Sequence, residues 1–138
     1  MRYIGEASVG YPLIVPDEAG QDCLLGSKCP GCGDVRVPPR RFCPNDLAEC
    51  EPVHLDGHGE IYEAVRIGLA PQGFEAPFWV GYIDLDGGAR FFGQIGWSEG
   101  ESEPRHGDRV SMSVEVVRTD DLPVMGPVFR KAVPNAAH

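Results

Sequence analysis

Apolar and polar positions alternate most cleanly between Asp108 and Arg118. There Val110, Met112, Val114 and Val116 take one phase and Ser111, Ser113 and Glu115 the other. A period of two predicts a half-buried strand. Three earlier runs, Glu60–Ile67, Phe78–Leu85 and Ala89–Ile95, are rich in β-branched and aromatic residues, and Asp86-Gly87-Gly88 turns the second into the third. Ala70–Pro77 reads as a loop, and Ser98–Gly107 is too hydrophilic for a core. Pro123–Pro127 is expected to break the pattern before a last strand from Val128 to Val133. No stretch suits a long helix, and eighteen glycines and thirteen prolines work against one. Five short antiparallel strands without helices bury their faces most simply in a small closed sheet.

The expected fold is therefore mostly β. A five-stranded oligonucleotide/oligosaccharide-binding (OB) barrel over residues 56–138 fits best, with an SH3-like barrel as runner-up. Glycines inside strands, Gly81 and Gly93, suit the sharp coiling of such a barrel. By alternation, one of Phe91 and Phe92 must fill it. Residues 1–22 carry little pattern beyond the apolar tether Tyr11–Pro16, and Cys23–Lys28 reads as a strand opening a second unit over 23–55.

That second unit holds all five cysteines of the 138-residue chain. Cys29-Pro-Gly-Cys32-Gly33 has the shape of a zinc knuckle, a tight turn that brings two sulfurs to one ion. Cys43-Pro-Asn-Asp46 begins a second knuckle but has aspartate where a fourth cysteine is expected, and Cys50 follows four residues later. Sulfur is the better zinc ligand among thiolates. The reading is a structural zinc held by Cys29, Cys32, Cys43 and Cys50, with Asp46 in reserve. On that assignment Cys50→Ser loses the metal and Asp46→Ala does not. Four protein ligands leave no open position for catalysis at the ion. A vestigial metal site, a disulfide and a redox pair are the competing readings. The chain opens without an apolar signal segment, which predicts a cytoplasmic protein with reduced thiols. The surrounding prolines and glycines do not fit the βαβ setting of a redox pair. Cys23 fits neither knuckle and reads as a small buried thiol.

Charge narrows the partners. The formal net charge of −9 argues against nonspecific nucleic-acid binding, and no run of about 18 apolar residues is present to span a membrane. Lys28, Arg36, Arg40 and Arg41 against Asp34 make one modest basic stretch, equally readable as a phosphate site or a solvated rim.

A knuckled ribbon followed by an OB barrel resembles the DUF35 family of zinc-ribbon and OB-fold proteins. The residues that carry the likeness are Leu25-Gly-Ser-Lys-Cys29-Pro-Gly-Cys32-Gly, Pro38-Pro-Arg-Arg-Phe-Cys43-Pro, Leu55-Asp-Gly-His-Gly-Glu-Ile-Tyr, Ala70-Pro-Gln-Gly-Phe74-Glu-Ala-Pro and Phe91-Phe-Gly-Gln. Asp46 departs from the family pattern, as does an N-terminal segment without the usual amphipathic helix. The resemblance implies a rubredoxin-like zinc ribbon and a non-catalytic subunit of a thiolase-type complex acting on acyl-coenzyme A thioesters. Such a subunit steadies a thiolase-fold partner and helps to enclose coenzyme A. Phe74, Phe78 and Trp79 are then candidate partner or acyl contacts, and Arg36, Arg40 and Arg41 candidate coenzyme A phosphate or partner contacts. The alternative is a free-standing acyl-CoA-binding module using the same residues. Single-stranded nucleic-acid binding ranks lower because the barrel is acidic. No Ser-His-Asp, Cys-His or paired-carboxylate arrangement recommends an independent enzyme.

Overall fold

The computed structural model describes residues 2–3, 13–69, 78–98, 100–119 and 121–132. All of its regular structure is β. Four strands build the ribbon: β2 (Ile14–Pro16), β3 (Asp22–Lys28), β4 (Val35–Arg36) and β5 (Glu51–Leu55). β3 is its spine, with β5 along one edge and β2 and β4 along the other. Five more close the barrel: β6 (His58–Ile67), β7 (Phe78–Leu85), β8 (Arg90–Ile95), β9 (Arg109–Thr119) and β10 (Pro123–Lys131). Their cyclic order is β6-β7-β8-β10-β9 and back to β6, all antiparallel except the β8–β10 seam. This is the expected OB-type barrel. A two-residue strand β1 (Arg2–Tyr3) adds to the free edge of β10.

The barrel consists of two local units stitched at two short seams. The meander β6-β7-β8 and the hairpin β9-β10 each pair over most of their length. Between them, β6 meets β9 over His58–Glu60 and β8 meets β10 over Gln94–Ile95. The first seam is reinforced by Ile61 N–H on the Asp108 carbonyl, Gly107 N–H on the Ile61 carbonyl, and a bidentate Arg109–Asp86 pair.

Ribbon and barrel share one apolar core. Leu13, Leu24 and Leu55 from the ribbon pack with Ile61, Ile83, Leu85, Phe91, Val110 and Phe129 of the barrel. The contact depends on the Asp86-Gly87-Gly88 turn: a Cβ on Gly87 would lie 2.3 Å from Leu55 Cδ2, so the leucine fills the space a side chain would take. Phe91 is the ring that enters the barrel, while Phe92 is 55% exposed.

Two expectations change in the last hairpin. The alternation in β9 holds at Val110 and Met112, then slips: Val116 is exposed and Val117 buried, near a register shift in the pairing with β10. A bulge changes which face each following residue takes. The break expected at Pro123–Pro127 is instead the first half of β10. Along its outer edge β10 meets β1 at Val124–Met125 and β8 at Val128–Phe129, leaving residues 126 and 127 between the two pairings. A gap of that kind tolerates a proline, which has no N–H for a ladder.

Gly81 is the tightest point of the barrel wall. A Cβ there would fall 2.0 Å from the Glu63 carbonyl oxygen and 3.0 Å from Ala64 Cα, opposite the β6 bulge. Gly81→Ala is expected to destabilise the chain by more than about 2 kcal/mol in urea unfolding, because backbone must move. A change of less than about 0.5 kcal/mol would contradict the close approach. A second expectation concerns acid. Arg130 donates to both Glu115 oxygens at 2.6 Å and holds that carboxyl below its usual range, against burial, with help from the Ser113 hydroxyl. A depressed carboxylate contributes stability above its unfolded pKa of about 4.3, and loses it as pH falls through the native value. Wild type should therefore lose stability between about pH 5 and 3 more steeply than Arg130→Gln. Parallel curves for the two proteins would show the pair to be inert.

Candidate metal centre

The two knuckles are built alike. In each, a cysteine opens a turn whose fifth residue donates its N–H back to that cysteine's carbonyl: Gly33 to Cys29 at 2.9 Å, Leu47 to Cys43 at 2.8 Å. Both closing residues have positive φ, 78° at Gly33 and 62° at Leu47. A backbone N–H also faces each leading sulfur, Cys32 N on Cys29 Sγ at 3.5 Å and Asn45 N on Cys43 Sγ at 3.4 Å. The fourth residue of the first knuckle is Cys32, and the fourth of the second is Asp46. Asp46 thus stands where the pseudo-symmetric cysteine would.

Cys29, Cys32 and Cys43 and the Asp46 carboxylate bring one donor atom each within 4.8 Å of one another. Cys32 Sγ and Cys43 Sγ are 3.6 Å apart, and Cys29 Sγ lies 3.5 Å from both Asp46 oxygens. A tetrahedron with Zn–S bonds of about 2.3 Å has edges of about 3.8 Å. Three sulfurs and one oxygen at these separations fit zinc in size and in donor chemistry. The carboxylate approaches because Gly31 has no side chain: a Cβ there would sit 2.8 Å from Asp46 Oδ2. Cys29 and Cys43 are buried and Cys32 is exposed.

Cys50 lies outside this group of four. It is half-buried, with Sγ 3.9 Å from the Ala48 carbonyl oxygen. Burial first, then the neighbouring Cys43 and Asp46, push its thiol up. The sequence signal for Asp46 is its spacing, since Cys43-x-x-Asp46 repeats Cys29-x-x-Cys32; the sequence reading held it in reserve behind the softer Cys50.

Cys29, Cys32 and Asp46 are shifted in different directions. The Ala48 N–H holds the Asp46 carboxyl below its usual range, 3.0 Å from Oδ1. The Asp34 amide, the Asn45 side chain and Cys43 hold the Cys32 thiol down. On Cys29 the Cys32 amide favours the thiolate and burial opposes it, and the thiol is pushed up to about 11. A divalent ion would displace these protons, so its hold must weaken in acid.

The other sequence candidates fall in separate places. Arg36 and Arg40 line a groove of about 490 Å³ together with Asp34, Gly88 and Arg90, where ribbon meets barrel. Arg36 is held by Asp34 at 2.6 Å, and Arg90 by Asp84 at 2.6 Å while lying 3.7 Å over the Tyr62 ring. Arg41 points elsewhere, exposed and 3.9 Å from Glu49. Phe74 lies outside the described residues. Phe78 is half-buried at the start of β7, and Trp79 turns inward and is only 9% exposed. Exposed rings lie on another face of the sheet. Tyr62, Tyr82 and Phe92 share the outer face of β6-β7-β8, with Tyr82 and Phe92 edge to face at 5.1 Å. Among the described residues no helix is long and apolar enough to cross a membrane.

Comparison with known proteins agrees with this architecture. Residues 17–49 match the rubredoxin-like zinc ribbon domain of ChsH2, and residues 52–119 match its C-terminal OB-fold domain. A benzoylsuccinyl-CoA thiolase subunit, BbsA of Thauera aromatica, is 31% identical over 122 residues, 86% of this chain and 83% of that protein. A DUF35 domain-containing scaffold protein of Methanocaldococcus jannaschii is 40% identical over 77 residues, 53% of this chain and 55% of that one. Among solved structures, the Ltp2-ChsH2(DUF35) aldolase superposes with a TM-score of 0.63 at 27% identity, covering 80% of this chain and 86% of its own. With its ribbon, barrel and near full-length relatives in agreement, the chain belongs to the DUF35 family of zinc-ribbon and OB-fold proteins.

Proposed function

We propose that this chain is a non-catalytic subunit that assembles with a thiolase-fold enzyme acting on acyl-CoA thioesters, in the cytoplasm where its thiols stay reduced. The likeness to a benzoylsuccinyl-CoA thiolase subunit along 86% of the chain carries the reading. The structure supplies a surface suited to it. Tyr62, Tyr82 and Phe92 stand 44%, 45% and 55% exposed on one sheet face, and aromatic rings are the anchors around which protein interfaces concentrate their energy. The flanking Arg90–Asp84 pair gives that face a polar rim. The subunit steadies its partner and helps to enclose coenzyme A, with Arg36, Arg40 and Arg90 in the ribbon–barrel groove as the groups suited to its phosphates. A free-standing acyl-CoA-binding module remains the second reading, supported by the same groove.

Zinc in the knuckles is part of the proposal, held by Cys29, Cys32, Cys43 and Asp46, with a structural role. The ion would offset half the charge of three thiolates and a carboxylate and tie the two knuckles into one fold. Metal analysis is expected to give about one zinc per chain. Asp46→Ala should release zinc at lower chelator concentration than Cys50→Ser, the reverse of the sequence expectation. Greater loss from Cys50→Ser would return the fourth position to that cysteine.

The partner is tested by purifying the tagged chain from its native host and identifying what accompanies it by mass spectrometry. A thiolase-fold protein is expected in stoichiometric yield. Phe92→Asp should weaken the complex by about 2 kcal/mol or more while zinc content is unchanged. Recovery of a lone monomer that binds acyl-CoA would overturn the subunit reading in favour of the binding module.

A further inference from the structure

Arg90, at the start of β8, holds its guanidinium plane fixed from two directions. Nε and one terminal nitrogen donate to the two Asp84 oxygens at 2.6 and 3.2 Å. The Tyr62 ring covers one face, its centroid 3.7 Å from Cζ. Arg90 lines the groove between ribbon and barrel, and Tyr62 does not. What Arg90 presents to the groove is therefore the side that the ring leaves uncovered. The side chain is 49% exposed, so that side is within reach of a ligand.

The rest of the lining suits a flat anion. Gly88 adds no side chain between Arg90 and the ribbon, where a Cβ would meet Val35 Cγ2 at 3.6 Å. Arg36 gives only its Nε to Asp34, and its terminal nitrogens have no acceptor among the described residues. Arg40 is exposed, and its side chain has no hydrogen-bond or ion-pair partner among the described residues. Its backbone is fixed, since the Arg40 N–H donates to the buried Ser27 hydroxyl at 2.9 Å. Both arginines belong to the segment between Cys32 and Cys43, which joins the two knuckles. Three arginines against Asp34 give the lining a formal charge of +2, in a chain of net charge −9.

We propose that the groove binds a purine nucleotide, its base stacked on the open side of Arg90 and its phosphates on Arg36 and Arg40. The base completes a stack of three layers over Tyr62 and Arg90. Guanidinium planes stack on aromatic faces, and unpaired bases stack on arginine. The phosphates fall to Arg36 and Arg40 because Asp84 already engages two donors of Arg90. The volume of about 490 Å³ is that of a small-molecule site. A free adenine nucleotide and the nucleotide end of coenzyme A share this chemistry. The assignment rests on the coenzyme A reading of the groove for the identity of the base.

The test is two-dimensional NMR of the zinc-loaded, 15N-labelled full chain, in which Asp84 slows exchange of the Arg90 Nε–H. Adenosine 3′,5′-bisphosphate, ADP and ribose 5-phosphate are titrated separately to about 10 mM, enough for a Kd of about 1 mM. Both adenine nucleotides should move the Arg90 Nε–H proton upfield and saturably, because a stacked ring shields what lies over its face. Ribose 5-phosphate, which has no base, should not. Tighter binding of the bisphosphate assigns the nucleotide end of coenzyme A, and tighter binding of ADP assigns a free nucleotide. Arg90→Lys keeps the charge and loses the plane. It should weaken the nucleotides about tenfold, read from the Gly88 amide, and change ribose 5-phosphate binding by less than about twofold. Arg40→Gln should weaken the nucleotides about tenfold with zinc content unchanged. No upfield movement with either nucleotide, an equal one with ribose 5-phosphate, or equal nucleotide affinity in Arg90→Lys would overturn the proposal. If ribose 5-phosphate still bound in that case, the arginines would stand as a phosphate site without the stack; no binding by any probe would remove both.

Discussion

Leucine 55 seated over Gly87 is the contact on which the rest of the structure depends. The ribbon's apolar side chains Leu13, Leu24 and Leu55 are buried in a core shared with the barrel, and Leu55 enters it over the side-chain-free Gly87 of the β7–β8 turn. Only two residues separate the end of β5 at Leu55 from the start of β6 at His58, so the packing also sets where the barrel begins. A small unit cannot bury enough apolar area to outweigh its chain entropy, which is why ribbons of this size rely on metal or on a neighbour. Here the knuckles sit at one end of β3 and the shared core at the other. The spine strand therefore links the knuckles to barrel packing.

Much of this was legible from residue types and spacing. Strands at regular intervals, the Asp86-Gly87-Gly88 turn and glycines within strands led to a coiled, closed sheet, and the barrel is that sheet. The cysteine spacing marked the first knuckle. Where reading fell short, the deciding quantity was three-dimensional. Softness favoured Cys50 over Asp46, whereas the likeness of the two turns brings the Asp46 carboxylate, and not Cys50, beside Cys29, Cys32 and Cys43. Trp79 and Phe92 are both aromatic residues of strands, and only the register of β7 against β8 shows one inside and the other outside. Pro127 in a strand became intelligible only once the gap along the outer edge of β10 was known.

The division of labour follows the geometry. The ribbon carries dense polar chemistry in its turns, the barrel's outer face carries exposed rings, and the groove between them gathers arginines. Such a separation lets each surface change without disturbing the core.

The seam between β8 and β10 has a consequence for how the molecule assembles. It joins residues 94–95 to residues 128–129, far apart in the chain, by a ladder only two residues long. The meander β6-β7-β8 and the hairpin β9-β10 form from neighbouring segments and lose little loop entropy. Closing the barrel brings these two pieces together through a ladder two residues long, so this seam is expected to open before the longer ones. Amide exchange near Gly96, whose N–H rests on the Phe129 carbonyl, then reports barrel breathing rather than global unfolding.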